Sequence, residues 1–174
     1  RIAAENGKIE GLDEHQKFIL FKKIGLGALK YFILKVDPKK RILFDPIASV
    51  DFNGNTGPFI QYTYARIQSL IQKADGELKL NLDLSLVDKE KEILKHLSTY
   101  SALVKSAGEQ YNPALIANYL YELVKMFNSF YQNVSVLGSE NQKLKSLRLL
   151  LCKAVANNIE SACGLLGIDL PNSM

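Results

Sequence analysis

Residues 112–132, NPALIANYLYELVKMFNSFYQ, decide the fold class because their apolar side chains recur at steps of three and four. The stripe consists of Ile116, Tyr119, Leu120, Leu123, Phe127 and Phe130. Such spacing places the side chains on one face of an α-helix, as in a bundle helix. Asn112-Pro113 precedes the stripe and predicts where the helix begins. The segment therefore predicts a long helix with one buried face.

The segments around this helix predict further helices with short connections. DKEKEILKHLSTY (88–100) and SALVKSAGEQ (101–110) precede it, and a last helix opens at Ser139-Glu140. Four such helices predict a small bundle. In the first of them, Glu90 and Glu92 alternate with lysines, which predicts a solvated face of paired charges.

The first half of the chain predicts two helices and one short strand. Asp13 can cap a first helix, the GLG stretch at 25–27 permits either a break or close packing, and Asp37-Pro38 ends the pattern. RILF (41–44) predicts a short strand, and a second helix begins near Pro58. We therefore expect an all-α fold, a helical bundle preceded by a mostly helical segment with one short strand.

The stretch ADGELKLNLDLSL (74–86) predicts a linker, which divides the chain into residues 1–75 and residues 76–174. Charge follows nearly the same division. Residues 1–76 contain 12 Lys and Arg against 8 Asp and Glu, whereas the remainder contains 10 against 10. The excess is concentrated at KYFILKVDPKKR (30–41), which suits an anionic partner. A solvated lysine-rich face is the alternative interpretation.

Composition limits the class of protein. The 174 residues are 47% hydrophobic and 23% charged, as in ordinary globular proteins. No apolar run approaches the roughly 18 residues that span a bilayer, so we expect a cytoplasmic protein without a membrane partner. The chain begins at Arg1 without a signal-peptide pattern, which predicts a piece of a longer protein. Cys152 and Cys163 are predicted to be buried free thiols.

No constellation for catalysis is visible in the sequence. His15 and His96 lie far apart in polar surroundings, which predicts surface positions for both. There is no metal-ligand spacing, no glycine-rich phosphate loop after a strand and no credible Ser/His/Asp set. We therefore expect this chain to catalyse no reaction alone and to hold no metal or cofactor.

The stretch DFNGNTG (51–57) is a dense turn signal directly before a helix. That helix carries Phe59, Gln61, Tyr62 and Arg66 near its start. A polar loop followed by aromatic and arginine side chains suits a phosphate or an unstacked base. The alternative is an ordinary helix start with its tyrosines in the core.

Two tyrosines of the long helix, Tyr121 and Tyr131, fall off its apolar stripe. Beside the amides of Asn118 and Asn128, an exposed tyrosine could stack on a flipped base and bond to its edge. The alternative is a partly buried tyrosine with a solvated hydroxyl group.

Ordered motifs over almost the whole chain resemble one family. GLGALKYFILKVDPKKRILFD (25–45) and DFNGNTGPFIQYTYARIQSL (51–70) resemble the end of the catalytic region of arginyl-tRNA synthetases, a class I family. The second half resembles their all-helical anticodon-binding domain. The motifs that carry this resemblance are NPALIANYLYELVKMFNSFYQ, SLRLLLCKAV, LLGIDLP and the terminal Met174.

The resemblance implies a set of residues that contact tRNA. The set consists of Asn53, Gly54, Asn55, Phe59, Tyr62, Arg66, Tyr131 and Met174. The first three would form a loop that meets the RNA, Tyr62 and Arg66 would face it from the helix, Tyr131 would meet the anticodon loop, and the terminal Met174 would lie near that loop. Members of the family recognise a central cytosine of the anticodon.

The resemblance also implies the activity of a parent protein, an arginine–tRNA ligase that uses ATP with Mg²⁺. The family's HIGH-type and KMSKS-type ATP motifs do not occur here, so this chain should not aminoacylate. We expect its partner to be the anticodon stem-loop of arginine tRNA, with no DNA partner, and the chain to be a monomer. The alternatives are a free-standing helical RNA-binding or adaptor module, and a helical protein-interaction domain without an RNA role.

Overall fold

The structure is a computed structural model that describes Gly11, residues 13–74 and residues 85–174. Within these residues all regular secondary structure is helical, which confirms the all-α class. The helices are α1 (Glu14–Leu34), α2 (Pro46–Ser49), α3 (Gly57–Gln72), α4 (Asp88–Ser98), α5 (Tyr100–Glu109), α6 (Ala114–Asn133) and α7 (Gln142–Leu165). None of these described helices is both long enough and apolar enough to cross a membrane.

Helix α1 is continuous through its glycines; Gly27 serves close packing, whereas a Cβ atom at the exposed Gly25 would meet nothing within 4 Å. Asp13 caps the helix in a capping box with Gln16. A Cβ atom at Gly27 would lie 2.4 Å from Nε2 of Gln61, and one at Gly57 would lie 2.5 Å from the carbonyl oxygen of Gly27. Helices α1 and α3 therefore approach each other closely through glycine backbone.

The short strand predicted at residues 41–44 is wrong. Residues 41–45 have no regular structure, and Asp45 caps the single turn of α2 by accepting hydrogen bonds from the amides of Ile47 and Ala48. A strand needs a neighbour for its backbone hydrogen bonds, and the described residues supply none. Leu43 and Ile47 are instead largely exposed.

One hydrophobic core joins helices from both predicted parts of the chain. Helix α6 lies at its centre, with Phe127 and Phe130 fully buried, and packs against α3, α4, α5 and α7. Tyr31 of α1 and Ile67 of α3 belong to the same core. The predicted boundary at residues 75 and 76 lies outside the described residues, and the two-domain division stays a prediction.

Both cysteines lie in the core, and they are free and buried as predicted. Burial raises the pKa of the Cys152 thiol and of the Cys163 thiol to about 12, because the core disfavours a thiolate. His15 is exposed, but His96 is only half-exposed and its ring stacks 4.2 Å from the ring of Tyr119.

The predicted solvated face of α4 contains one residue that the structure buries. Glu90 is 1% exposed and accepts a hydrogen bond from Nε of Arg148 at 2.9 Å. Its other carboxylate oxygen accepts from the amide of Val87, which closes the first turn of α4. The prediction failed because the partner lies 58 residues away on α7, beyond the reach of any local charge pattern.

Candidate nucleic-acid interface

The loop before α3 is held in place by hydrogen bonds, several of which come from α1 and the residue after it. Thr56 caps α3, and its hydroxyl also donates to the carbonyl oxygen of Asp51. The amide oxygen of Asn55 accepts from the Tyr31 hydroxyl at 2.5 Å, and its backbone oxygen accepts from Nζ of Lys35 at 2.8 Å. Burial raises the pKa of Tyr31 and lowers that of Lys35. Both oxygen atoms of Asn55 therefore bond to side chains of α1 and of the residue that follows it.

The tip of this loop is exposed. Gly54 adopts a φ of +91°, a conformation that favours glycine, and nothing described would obstruct an added Cβ. Asn53 is exposed, and its backbone amide donates to Oδ1 of Asp51 at 2.8 Å. Of the three loop residues predicted to meet RNA, Asn53 and Gly54 are thus accessible. Asn55 instead uses its oxygen atoms to fasten the loop to Tyr31 and Lys35.

Four of the eight predicted residues line one groove, of about 410 Å³. They are Tyr62, Arg66, Tyr131 and Met174, which come from α3, α6 and the last residues of the chain. Ala65, Ser69, Leu70, Lys73 and Ser173 complete its lining. We name this surface the tyrosine–arginine groove. Both of its charged side chains, Arg66 and Lys73, are cationic.

Arg66 lies between two aromatic rings. Its Cζ atom is 4.7 Å from the ring centre of Tyr62 and 5.3 Å from that of Tyr131. Both distances are within the range of cation–π contacts. The guanidinium thereby ties α3 to α6 while its donors stay near the groove.

Asn128 positions Arg66 without neutralising it. Its amide oxygen accepts from Nη1 of Arg66 at 2.6 Å, and its amide nitrogen donates to Oγ1 of Thr63 at 2.8 Å. That nitrogen also donates to the carbonyl oxygen of Val124 at 2.9 Å. Across the described residues, no carboxylate pairs with Arg66 within 4.0 Å. The charge of Arg66 is therefore available to an anionic ligand.

Phe59 does not reach the groove. Its ring packs 6.2 Å from the ring of Tyr121 and against the core cluster. The loop approaches the groove through a residue that the sequence did not single out, because Phe52 meets Tyr62 edge-on at 6.3 Å. Phe59 thus lies with the core, whereas Tyr62 is 38% exposed.

One lining residue, Lys73, was missed from the sequence, and the contacts of Asn128 and Gln61 were not foreseen although both residues were noted. Lys73 lies two helical turns after Arg66, and this seven-residue step would have placed it on the same face. The links of Asn128 to α3 and of Gln61 to the chain's end had no local signal. Gln61 is fully buried, and its amide nitrogen donates to the carbonyl oxygens of Lys23 and Asp169 at 3.1 and 2.8 Å.

Within the described residues, no group of three or more His, Cys, Asp or Glu side chains could hold a metal ion. The described features are those of an all-α binding domain whose groove presents two rings and two cations. A family model for the DALR anticodon binding domain matches residues 60–174. The chain belongs to this family.

The chain is also similar to longer proteins. It is 53% identical over its whole length to the arginine–tRNA ligase of Flavobacterium psychrophilum, of which it covers 29%. It is 47% identical to that of Porphyromonas gingivalis strain W83, with 99% of the chain and 30% of the relative covered. The chain therefore spans less than a third of the length of these curated relatives.

A solved structure shares the fold. The arginyl-tRNA synthetase of Thermus thermophilus superposes with a TM-score of 0.90 at 27% identity, over 99% of this chain and 30% of that one. The enzyme from Plasmodium falciparum gives 0.79 at 25% identity, over 90% and 28% of the two chains. The resemblance seen in the sequence thus extends to the arrangement of the helices.

Proposed function

We propose that this chain recognises the anticodon stem-loop of arginine tRNA as the C-terminal part of an arginine–tRNA ligase. Its family and its relatives support this proposal. We further propose that the chain acts as a monomer in the cytoplasm and engages neither DNA nor membranes. The division into residues 1–75 and 76–174 belongs to the same proposal, with the second part carrying the anticodon-binding helices.

The observation that carries the proposal is the arrangement of Arg66 between Tyr62 and Tyr131. Single-stranded RNA loops are recognised by stacking of splayed bases on aromatic rings and guanidinium planes, with hydrogen bonds to base edges. The tyrosine–arginine groove offers both kinds of surface side by side. Met174 lines the same groove and would contact a base there.

The remaining predicted residues would either contact RNA at the exposed tip of the loop or hold the loop in place. Asn53 and Gly54 form an exposed tip where backbone can approach RNA. Asn55 and Phe59 would fix the shape and position of that loop, since their contacts lie inside the fold. All eight residues thus serve recognition, but only six would touch the ligand.

The proposed parent enzyme joins arginine to its tRNA with ATP and Mg²⁺. This chain lacks both ATP motifs of the family, so the chemistry would belong to the rest of the parent. We expect no arginine-dependent exchange of pyrophosphate into ATP by this chain alone, and a signal above a no-protein blank would contradict that expectation.

The first experiment is a titration of the chain with a labelled anticodon stem-loop of arginine tRNA. A second stem-loop has its central anticodon cytosine replaced. Low salt is needed because phosphate contacts weaken steeply as salt rises. A preference of about 1–2 kcal/mol for the cytosine stem-loop is expected, as for one mismatched base. Equal binding of the two would overturn base recognition by the isolated chain.

Variants assign the binding to the groove. Tyr131→Ala should weaken binding of the cytosine stem-loop by about 1–3 kcal/mol, the usual contribution of a base stacked on an aromatic ring. Tyr121→Ala is the matched control, because it removes a half-buried tyrosine of the same helix whose ring packs on Phe59, away from the groove. Equal loss in both variants would point to damage of α6.

A further inference from the structure

Tyr111 has a backbone conformation that is unusual for its residue type. It follows the end of α5 with a φ of +52°, and it is the only non-glycine residue with positive φ among those described. Its amide donates to the carbonyl oxygen of Gly108 at 3.2 Å, and the amide of Asn112 donates to that of Ala107 at 2.9 Å. This is the closing turn of a helix in which glycine or asparagine is usual.

The closing turn needs this backbone conformation, but the tyrosine side chain gains little from the fold there. The residue is 89% exposed, so its ring buries little apolar surface against the protein. A tyrosine in the left-handed region is disfavoured by its Cβ atom. A tyrosine where the turn would favour glycine or asparagine is a reason to look for a role of the ring in binding.

The surroundings of Tyr111 form a defined site. A concavity of about 530 Å³ is lined by Asp37, Pro38, Lys39, Gln110, Tyr111 and Asn112. The side-chain nitrogen of Asn112 donates to Oδ2 of Asp37 at 3.1 Å, and the amide of Lys39 donates to Oδ1 at 2.8 Å. Both carboxylate oxygens are thus engaged, and they fasten the segment after α1 to the corner between α5 and α6.

Charges of both signs lie beside the ring, with the Asp37 carboxylate engaged as above and Lys39 in the lining. Lys39, Lys40 and Arg41 are consecutive and exposed, and Pro38 separates them from Asp37; of the three, Lys39 lines the concavity. This is the basic end of the stretch that gives the first part of the chain its positive charge. An exposed aromatic ring next to exposed cations suits a ligand with both a flat apolar face and negative charge, which describes a nucleotide in RNA.

We propose that Tyr111, together with Lys39, Lys40 and Arg41, forms a second RNA contact that is separate from the tyrosine–arginine groove. The ring stacks on a nucleotide, and the three cations contact adjacent phosphates. This inference rests on the proposed function, because it assigns a further surface to the same RNA.

The length of α6 separates the two surfaces. Tyr131 lies 17 residues after the first residue of α6, which is about 26 Å along the axis at 1.5 Å per residue. Tyr111 precedes the opposite end of that helix. An RNA that spans both surfaces must therefore be longer than a few loop nucleotides. A stem-loop with its flanking strands meets that requirement, whereas the loop sequence alone does not.

Tyr111→Gly is the decisive variant, because glycine suits the observed φ and should leave the fold as stable as before or more stable. We expect binding of the flanked stem-loop to weaken at least about fivefold, since stacking on the ring is lost. Tyr111→Asn, which also tolerates this φ, should behave alike, whereas Tyr111→Phe should bind like the unchanged chain. Unchanged binding in both Tyr111→Gly and Tyr111→Asn would overturn the proposal.

The charge of the site is tested separately. Lys39→Ala with Lys40→Ala should lower the magnitude of the slope of log Kd against log salt by about two, close to one for each lost phosphate contact. Lys143→Ala with Lys153→Ala, two exposed lysines of α7, is the matched control and should leave the slope unchanged. Equal slopes for the two double variants would overturn the phosphate contacts.

Arg66→Ala distinguishes failure of this inference from failure of the proposed function. If Arg66→Ala weakens binding and the Tyr111 variants do not, the groove stands and the second contact is refuted. A short oligonucleotide with the loop sequence alone is the comparison ligand. If the unchanged chain binds neither the flanked stem-loop nor this short loop oligonucleotide, both proposals fail. If the Tyr111 variants weaken the short loop as much as the flanked stem-loop, the two surfaces are not separate, which also refutes the inference.

Discussion

Two arginines of this chain show how different partners give the same side chain different uses. Arg148 on α7 is 9% exposed, and it bonds to the carboxylate of Glu90 at 2.9 Å and to the carbonyl oxygen of Ser135 at 2.8 Å. Arg66 on α3 is half-buried between the rings of Tyr62 and Tyr131, with one amide oxygen as its partner. Each arginine links two helices, but among the residues that the structure describes only Arg148 is paired with a carboxylate.

The difference teaches which arginine serves the fold and which serves a ligand. A buried ion pair leaves no charge for other molecules, and its members depend on each other because either one alone would be an uncompensated buried charge. Rings and an amide orient a guanidinium while leaving its charge in place. Variants at Glu90, Arg66 and Asn128, each with a control, can break or sharpen this comparison.

The largest expected effect is on the buried pair. Glu90→Ala should lower the free energy of unfolding by about 3–5 kcal/mol, because Arg148 would be left buried without a counter-charge. The change also removes the acceptor for the amide of Val87. Urea unfolding followed by circular dichroism measures the loss.

The double variant Glu90→Leu with Arg148→Met is the control for that loss. It fills similar volume with apolar side chains and leaves no unpaired charge, so it should recover most of the stability. A double variant as unstable as Glu90→Ala would show that shape or the α4 cap, and not the charge pair, dominates at this position.

A smaller effect on the fold and a clear one on the ligand are expected at Arg66. Arg66→Ala should lower the free energy of unfolding by only about 1–2 kcal/mol, since it removes two partly solvated cation–π contacts and one hydrogen bond. Affinity for the cytosine stem-loop should fall about tenfold or more, measured by fluorescence anisotropy at low salt.

Arg66→Lys refines the same prediction. Lysine keeps the charge but lacks the planar group that stacks between rings, so its affinity should lie between those of the unchanged chain and Arg66→Ala. If Arg66→Lys bound the cytosine stem-loop as tightly as the unchanged chain, the charge of Arg66 alone would account for its role. Stability loss in Arg66→Ala as large as in Glu90→Ala would erase the distinction between the two arginines.

The two arginines also mark how far the sequence could predict the molecule. The apolar stripe of α6, the cap at Asp13 and Pro58 at the start of α3 are local patterns, and each predicted its helix. The face of α4 did not predict the burial of Glu90, because the decisive partner is remote in sequence. The strand predicted at residues 41–44 failed for the same kind of reason, since pairing depends on a neighbouring strand and the described part of the chain offers none there.

The candidate site shows the same limit. Helical spacing relates Tyr62 to Arg66, and Lys73 could have been added by the same rule. The pairing of Arg66 with Tyr131 required the resemblance to a family, because these residues meet only through packing of α3 on α6. The inward contacts of Asn55 and Phe59 depend on α1 and on Tyr121, and no property of the residues themselves shows them.

The smallest expected effect is at Asn128, which orients Arg66 without touching the groove. Asn128→Ala should lower the free energy of unfolding by about 0.5–1.5 kcal/mol, because Thr63 keeps its hydrogen bond to the carbonyl oxygen of Phe59 and Arg66 can turn to solvent. Affinity for the cytosine stem-loop should fall about two- to fivefold, since Arg66 must be ordered again on binding.

Asn118→Ala is the matched control for Asn128→Ala. It removes an exposed amide of the same helix whose only described side-chain hydrogen bond is a long one, 3.4 Å, to the carbonyl oxygen of Lys35. In a double-mutant cycle, Asn128→Ala should lose its effect on binding once Arg66 is alanine, because its influence passes through that guanidinium. An undiminished effect in the Arg66→Ala background would mean that Asn128 supports the groove through α6 itself, and the orientation of Arg66 would then rest on the two rings alone.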